Sequence, residues 1–220
     1  MNLSKDNSYI LKDEKLELNG LIIRGKIKVK HSSGNTSLDK LDSFYLPAND
    51  MAEIIAEQDC SVFFGGSMYE GIGKYFTRKF DLSLPLGNIH QIHGKAQYKR
   101  EVFMTMAEQD AGSRLICGIT FGEPASWTSW PPHQHTRDLE EVYCYFNIPG
   151  PKSAFHFCSR KAGYFEFIHP VSTGDCVIVP EGYHPTCAMP GVRSCYFWVM
   201  AAHSPERRRY DLSVNDPNFS

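Results

Sequence analysis

Two histidines separated by a single residue, in Pro131-Pro132-His133-Gln134-His135, have a spacing that implies chemistry. Side chains on an extended segment alternate with period two, so His133 and His135 share a side and both imidazoles can reach one ion at about 2.0–2.2 Å. A carboxylate opening the next apolar run, Leu139-Glu140-Glu141-Val142-Tyr143, offers a third ligand. His184, after Val179-Pro180-Glu181-Gly182-Tyr183, offers a fourth at a strand end. Adjacent glutamates point to opposite faces of a strand. Glu141 shares its face with Tyr143 and Tyr145, a polar series suited to a hydroxylated ligand, and is the expected ligand; Glu140 goes with Val142, Cys144 and Phe146. Three imidazoles and one carboxylate leave positions open for water or substrate and suit Zn, Mn, Fe or Ni without choosing among them. The competing arrangement places His133 and His135 on an exposed loop and has His184 capping a turn.

The elements that must position these residues read as strands. Thirteen prolines and seventeen glycines punctuate short runs rich in Val, Ile, Phe, Tyr and Cys, at about residues 20–30, 61–65, 114–121, 141–146, 154–158, 176–179 and 194–200. Short apolar runs between turn formers predict an all-β sandwich or barrel. Residues 49–58 are the one helical candidate, and residues 82–88, with Pro85 and Gly87, read as a linker between domains. A loose internal repeat supports two domains: Asp42 to Pro47 matches Asp175 to Pro180, and Met51 stands where the second copy has His184. The segment 65–74 lacks the residues of a phosphate loop and reads as a flexible turn, and His90 and His93 read as loop histidines beside the linker.

Composition narrows the function classes. The chain has 220 residues, 23 basic and 25 acidic side chains and a net charge of −2, which gives no electrostatic case for nucleic acid or an anionic membrane surface. No apolar run approaches the roughly 18 residues of a membrane span, and the start carries no signal-peptide core. The seven cysteines form no Cys-x-x-Cys pair and mostly sit in apolar runs, so buried reduced thiols in a cytoplasmic protein are expected. Arg207-Arg208-Arg209 reads as a solvated or interface charge run.

His-x-His followed by Glu, then Gly174-Asp175-x4-Pro180-x-Gly182-x-His184, resembles the two motifs of the cupin superfamily. The fuller segments Trp127-Thr128-Ser129-Trp130-Pro131-Pro132-His133-Gln134-His135, Leu139-Glu140-Glu141-Val142-Tyr143, Val177-Ile178-Val179-Pro180-Glu181-Gly182-Tyr183-His184-Pro185 and Tyr196-Phe197-Trp198-Val199-Met200-Ala201 resemble the 5-deoxy-glucuronate isomerase family of inositol catabolism, as does the terminal Asn215-Asp216-Pro217. The related 4-deoxy-L-threo-5-hexosulose-uronate ketol-isomerase family shares the plan and the Phe155-His156-like strand. The short Thr136-Arg137-Asp138 connection is closer to that relative. The resemblance covers about residues 93–220. It implies an all-β bicupin of two β-barrel (jelly-roll) domains: a shortened, metal-free cupin-like domain at 1–88 and a metal-binding cupin domain at 89–220.

The resemblance further implies aldose–ketose isomerisation of a deoxy sugar acid through an enediolate. One divalent ion, Zn or Mn ahead of Fe or Ni, would be held by His133, His135, Glu141 and His184. His156 and Tyr143, expected to point into the barrel, are the candidates for moving the proton. Arg100 falls where these isomerases also have an arginine and would take the substrate carboxylate, although an ion pair at a domain or subunit contact is the competing role. A cytoplasmic homo-oligomer is expected, because isolated bicupins leave sheet edges that relatives bury. The rival readings are a metal-dependent cupin dioxygenase and a non-catalytic sugar-binding cupin.

Overall fold

The computed structural model describes residues 1–151 and 153–219, and among them no α-helix forms; three short 3-10 turns interrupt an otherwise all-β chain. The strands up to residue 78 make two sheets. One has the order Asn2–Leu3, Cys60–Met68, Leu16–Arg24, Ser43–Leu46, Phe76–Arg78; the other runs Ser8–Lys12, Met51–Ala56, Ile27–His31, Gly34–Leu38. Ile22, Ile27, Val29, Phe44, Ile54 and Val62 fill the space between them.

From residue 90 a six-stranded antiparallel sheet follows the order His90–His93, Arg100–Met106, Leu115–Pro124, Arg193–Ala202, Leu139–Tyr145, Cys176–Val179. Opposite it lies a four-stranded sheet, Trp127–Thr128, Thr186–Ala188, Ala154–Cys158, Phe167–Val171. Tyr143, Tyr145, Tyr196, Trp198 and Val171 pack between the two. A two-stranded ribbon, His133–Gln134 with Val214–Asn215, stands apart from both sheets.

The two halves share a third apolar cluster, in which Leu21 and Tyr45 meet Leu115, Cys117 and Phe197. Period two on the strand Leu16–Arg24 explains this. Leu18 and Ile22 face the first core, while Glu17, Asn19 and Leu21 face the second half. Thr105 donates to Asn19 Oδ1 at 2.7 Å. The fully buried Glu17 carboxylate accepts the Tyr45 hydroxyl (2.6 Å) and the backbone N–H groups of Ser113, Arg114 and Leu115 (2.8, 2.6 and 2.8 Å).

The structure corrects five expectations. The helix at 49–58 is the strand Met51–Ala56, whose alternating burial comes from pairing with Ser8–Lys12 and Ile27–His31 on either side. Gly65 and Gly66 lie within the strand Cys60–Met68 rather than in a turn; a Cβ on Gly65 would come within 2.4 Å of Val199 Cγ2. His90 and His93 are on a strand, and buried His90 has a carboxylate partner in Glu101, at 2.8 Å across the ladder. Arg208 is half-buried and donates to the carbonyls of Ala107, Glu108, Asp110 and Leu115, so only its neighbours face solvent. Finally, Cys176 is exposed, because its strand is the free edge of the six-stranded sheet.

Candidate metal centre and its cavity

After His135 the chain turns sharply, the amides of Asp138 and Leu139 both donating to the His135 carbonyl at 2.9 Å. The turn starts the strand Leu139–Tyr145 so that Glu141 comes back under the imidazole. His184 follows a turn at Pro180-Glu181-Gly182. Gly182 has φ +91°, and a Cβ there would lie 2.4 Å from the Ser159 carbonyl oxygen, so the turn needs glycine twice over.

His135, Glu141 and His184 are all buried and bring one ligand atom each to within 4.8 Å of the others. His133 stands just outside this trio, its ring centroid 5.0 Å from that of His184 and 6.3 Å from that of His135. Each imidazole is oriented in the same way. Nδ1 donates to a backbone carbonyl: His133 to Pro131 (3.0 Å), His135 to Leu139 (2.9 Å), His184 to Gly182 (2.7 Å). A carbonyl only accepts, so Nδ1 carries the hydrogen and the neutral ring is left with a bare lone pair on Nε2.

Two such nitrogens then press on one carboxylate oxygen. Glu141 Oε2 lies 3.0 Å from His135 Nε2 and 3.1 Å from His184 Nε2, the latter without hydrogen-bond alignment, so this buried nitrogen is unsatisfied. Lone pairs facing a carboxylate repel unless a positive species lies among them, either a shared proton or a cation. Burial pushes the His135 imidazole down and the Glu141 carboxyl up, but Glu141 outweighs burial at His135, which is raised, and His135 with His184 outweighs it at Glu141, which is held well below the usual carboxylate range. His133 is pushed down to about 3 by burial and by His184. Hydrogen-bonded outer nitrogens, inward lone pairs and one acidic oxygen fit a divalent cation.

A cavity of about 150 Å³ opens beside the trio. Tyr143 lines it, its hydroxyl 2.9 Å from Ser129 Oγ, which lies 3.3 Å from the Tyr196 hydroxyl. Burial, then Glu141, raises the Tyr143 phenol well above its usual range, so it stays protonated and available as a donor. Arg100 lines the cavity too, donating to the Trp130 carbonyl at 3.1 Å, and among the described residues of this chain no carboxylate pairs with it. The ribbon strand Val214–Asn215 forms part of the wall. Asn215 is the register partner of His133, and the Asp216 amide donates to the Pro132 carbonyl at 2.7 Å.

His156 does not line the cavity. It is fully buried behind Tyr143, with ring centroids 4.8 Å apart in an edge contact, and its Nδ1 shares a hydrogen bond of 2.7 Å with the Tyr145 hydroxyl. Burial, then His184, lowers it to about 3. His93 does line the cavity, as the cross-strand partner of Arg100. The Gln91 amide donates to the Asn88 carbonyl at 3.1 Å and so turns its oxygen toward His93 Nε2 at 2.7 Å. Nε2 therefore carries the hydrogen and Nδ1 is bare. Burial, then the Arg100 charge, lowers this imidazole and keeps it neutral. Sequence reasoning set His93 aside because its one usable signal, facing Arg100, needs the strand register.

The chain is similar to several known proteins. A 5-deoxy-glucuronate isomerase of Geobacillus kaustophilus is 31% identical over 72% of this chain and 58% of its own length, so the chain spans less than two thirds of that relative. Enzymes of the same name from Bacillus subtilis strain 168 and Lacticaseibacillus casei are 28% and 26% identical, over 99% and 91% of the chain and 83% and 79% of their own lengths. An IolB-like protein of Salmonella typhimurium LT2 shares the fold, with a TM-score of 0.78 at 22% identity over 100% of this chain and 86% of that one. So does the cupin Bacillus subtilis oxalate decarboxylase, studied for its Mn(II) centres, with a TM-score of 0.65 at 12% identity over 98% of this chain and 69% of that one. The KduI/IolB family profile matches residues 1–220, and the chain belongs to that family.

Proposed function

We propose that the chain is a metal-dependent aldose–ketose isomerase of a deoxy sugar acid resembling 5-deoxy-glucuronate. The observation that carries the reading is the set of inward Nε2 lone pairs around Glu141 beside a cavity that also holds an unpaired arginine. The names of the relatives support it.

His135, Glu141 and His184 would hold the ion, with His133 closing in as the fourth ligand; Zn or Mn suits this donor set. A bound divalent cation supplies Lewis-acid polarisation of the substrate carbonyl. Arg100 binds the carboxylate with its free guanidinium N–H groups. The bare Nδ1 of His93 takes the proton from the substrate carbon, giving the enediolate, and returns it to the adjacent carbon. Tyr143 donates its phenolic hydrogen to a substrate oxygen, while His156 braces the Tyr143 ring from behind.

The enzyme would work in the cytoplasm, in inositol catabolism, as a homo-oligomer. Phe167, Ile168 and Ile178, exposed on free sheet edges, support contact between copies. Metal analysis of the purified protein, combined with proton-exchange NMR over a panel of deoxyuronates, tests the proposal. Wild type should carry about one divalent ion per chain and exchange the C2 proton of one substrate, and His184→Ala should lose both. Turnover by the fully stripped protein, or no exchange with any uronate by the loaded one, refutes it.

A further inference from the structure

Away from the histidine trio, the strands Leu139–Tyr145 and Cys176–Val179 bring two thiols face to face. Cys144 and Cys176 are register partners at the free edge of the six-stranded sheet. The Tyr145 amide donates to the Asp175 carbonyl at 2.9 Å, and on the other side of the strand the Phe146 amide donates to the Cys195 carbonyl at 3.1 Å. Ladder bonds alternate sides along a strand, so the backbone of Cys144 bonds toward Arg193–Ala202 and meets Cys176 as a non-hydrogen-bonded pair. In such pairs antiparallel Cα atoms come closest, about 4.5 Å, within the 4.4–6.8 Å that a disulfide spans.

The side chains already point at each other: Cys176 Sγ donates to Cys144 Sγ at 3.3 Å. Among the described residues no other pair of cysteines makes such a contact. The two thiols differ in setting. Cys176 faces solvent, whereas Cys144 is buried in the cluster with Cys117 and Phe197.

We propose that Cys144 and Cys176 form an oxidation site, a dithiol that a hydroperoxide converts into an intrachain cross-strand disulfide. The Cys176 thiolate attacks a peroxide oxygen and the O–O bond breaks. Hydrogen peroxide leaves a sulfenic acid on Cys176, and the departing hydroxide takes up the thiol proton as water. Cys144 sulfur then attacks the sulfenyl sulfur: the S–S bond forms, the S–O bond breaks, and the leaving hydroxide takes the Cys144 proton as a second water. Two thiols give up two electrons, and the peroxide accepts both.

The structure divides the labour. Exposed Cys176 meets the oxidant. Burial, then the neighbouring thiol, raises Cys144 well above its usual range, which makes it a poor nucleophile toward the oxidant itself. Closing 3.3 Å to the roughly 2.05 Å of a disulfide needs side-chain rotation, not displacement of the strands. The site stands independently of the isomerase reading.

The test treats the whole purified protein with hydrogen peroxide, then quenches and digests it without reductant for mass spectrometry. The expected product is a cross-linked peptide pair containing Cys144 and Cys176. Thiol titration of the unfolded protein should fall from seven by two and recover with dithiothreitol. Cys176→Ser, at an exposed position, should abolish that loss while the circular dichroism spectrum stays unchanged. Cys144→Ala should leave Cys176 as a sulfenic acid that dimedone captures. Oxidation of Cys176 without the cross-link in wild type, a cross-link between other cysteines, or thiol loss undiminished in Cys176→Ser overturns the proposal.

Discussion

Replacing Glu17 with glutamine changes one buried oxygen into an NH2 group. Oε1 accepts the fixed backbone N–H groups of Arg114 and Leu115, and Oε2 accepts one such group, from Ser113, together with the Tyr45 hydroxyl, which can rotate. The glutamine amide therefore settles with its nitrogen at the Oε2 position, where Tyr45 turns to accept and the Ser113 N–H is orphaned. An orphaned buried donor costs about 1–3 kcal/mol. The bonds to Arg114 and Leu115 persist but drop from charge-assisted to neutral, about 1 kcal/mol each. Removing a buried charge returns part of this, which leaves a net loss of about 3 kcal/mol. With a urea m-value of roughly 3 kcal/mol/M, Glu17→Gln should lower the unfolding midpoint by about 1 M. Because Glu17 ties the first half to the second, both halves should melt together. All three tryptophans, Trp127, Trp130 and Trp198, lie in the second half, so tryptophan fluorescence reports that half and circular dichroism reports the whole chain. Coincident wild-type curves and a shared shift in the variant are expected. A midpoint shift under about 0.2 M, or a dichroism transition that separates from fluorescence in the wild type, would refute the bridging role.

Further predictions concern the cavity. Arg100→Gln should raise KM for the sugar acid about 10- to 100-fold, with a smaller change in kcat, since the guanidinium is assigned to binding; steady-state kinetics with unchanged metal content checks it. His93→Gln should lower kcat by about 100-fold or more and abolish solvent-proton exchange at the substrate carbon while leaving metal bound; retained exchange assigns the proton to another group. His156, held at about 3 when folded against about 6.5 when unfolded, refuses a proton that the unfolded chain accepts, so its presence lowers stability as pH falls through that window. The urea-derived stability gap between wild type and His156→Gln should therefore shrink by about 2 kcal/mol between pH 6.5 and pH 5, and a constant gap contradicts the buried neutral imidazole.

The site was more legible than its surroundings. Period two on one strand chose Glu141 over Glu140, and the structure buries Glu141 and exposes Glu140. The His-x-His pair was harder, because the ribbon strand ends at Gln134 and the chain turns at His135, so only one of the two histidines joins the tight trio. Four of the six residues of Met51–Ala56 are good helix formers, and its strand state comes from the partners it pairs with on both sides. His156 was expected in the barrel interior and lies there, but whether it reaches the cavity depends on Tyr143 standing in front of it. Cys176 and Ile178 sit in an apolar run that sequence assigns to a core, whereas a strand at the margin of a sheet has no neighbour to cover it.

The ribbon partner of His133 has a consequence for biosynthesis. Asn215 both pairs with His133 and walls the cavity, although 81 residues separate the two along the chain. In order of synthesis both sheets are complete by residue 202, yet the chamber stays open beside His133 until residues 214–215 pair with that segment. Of the residues that wall the chamber, that ribbon is thus the last to be made, and a shortened product lacking it would keep both sheets but leave the cavity open on that side.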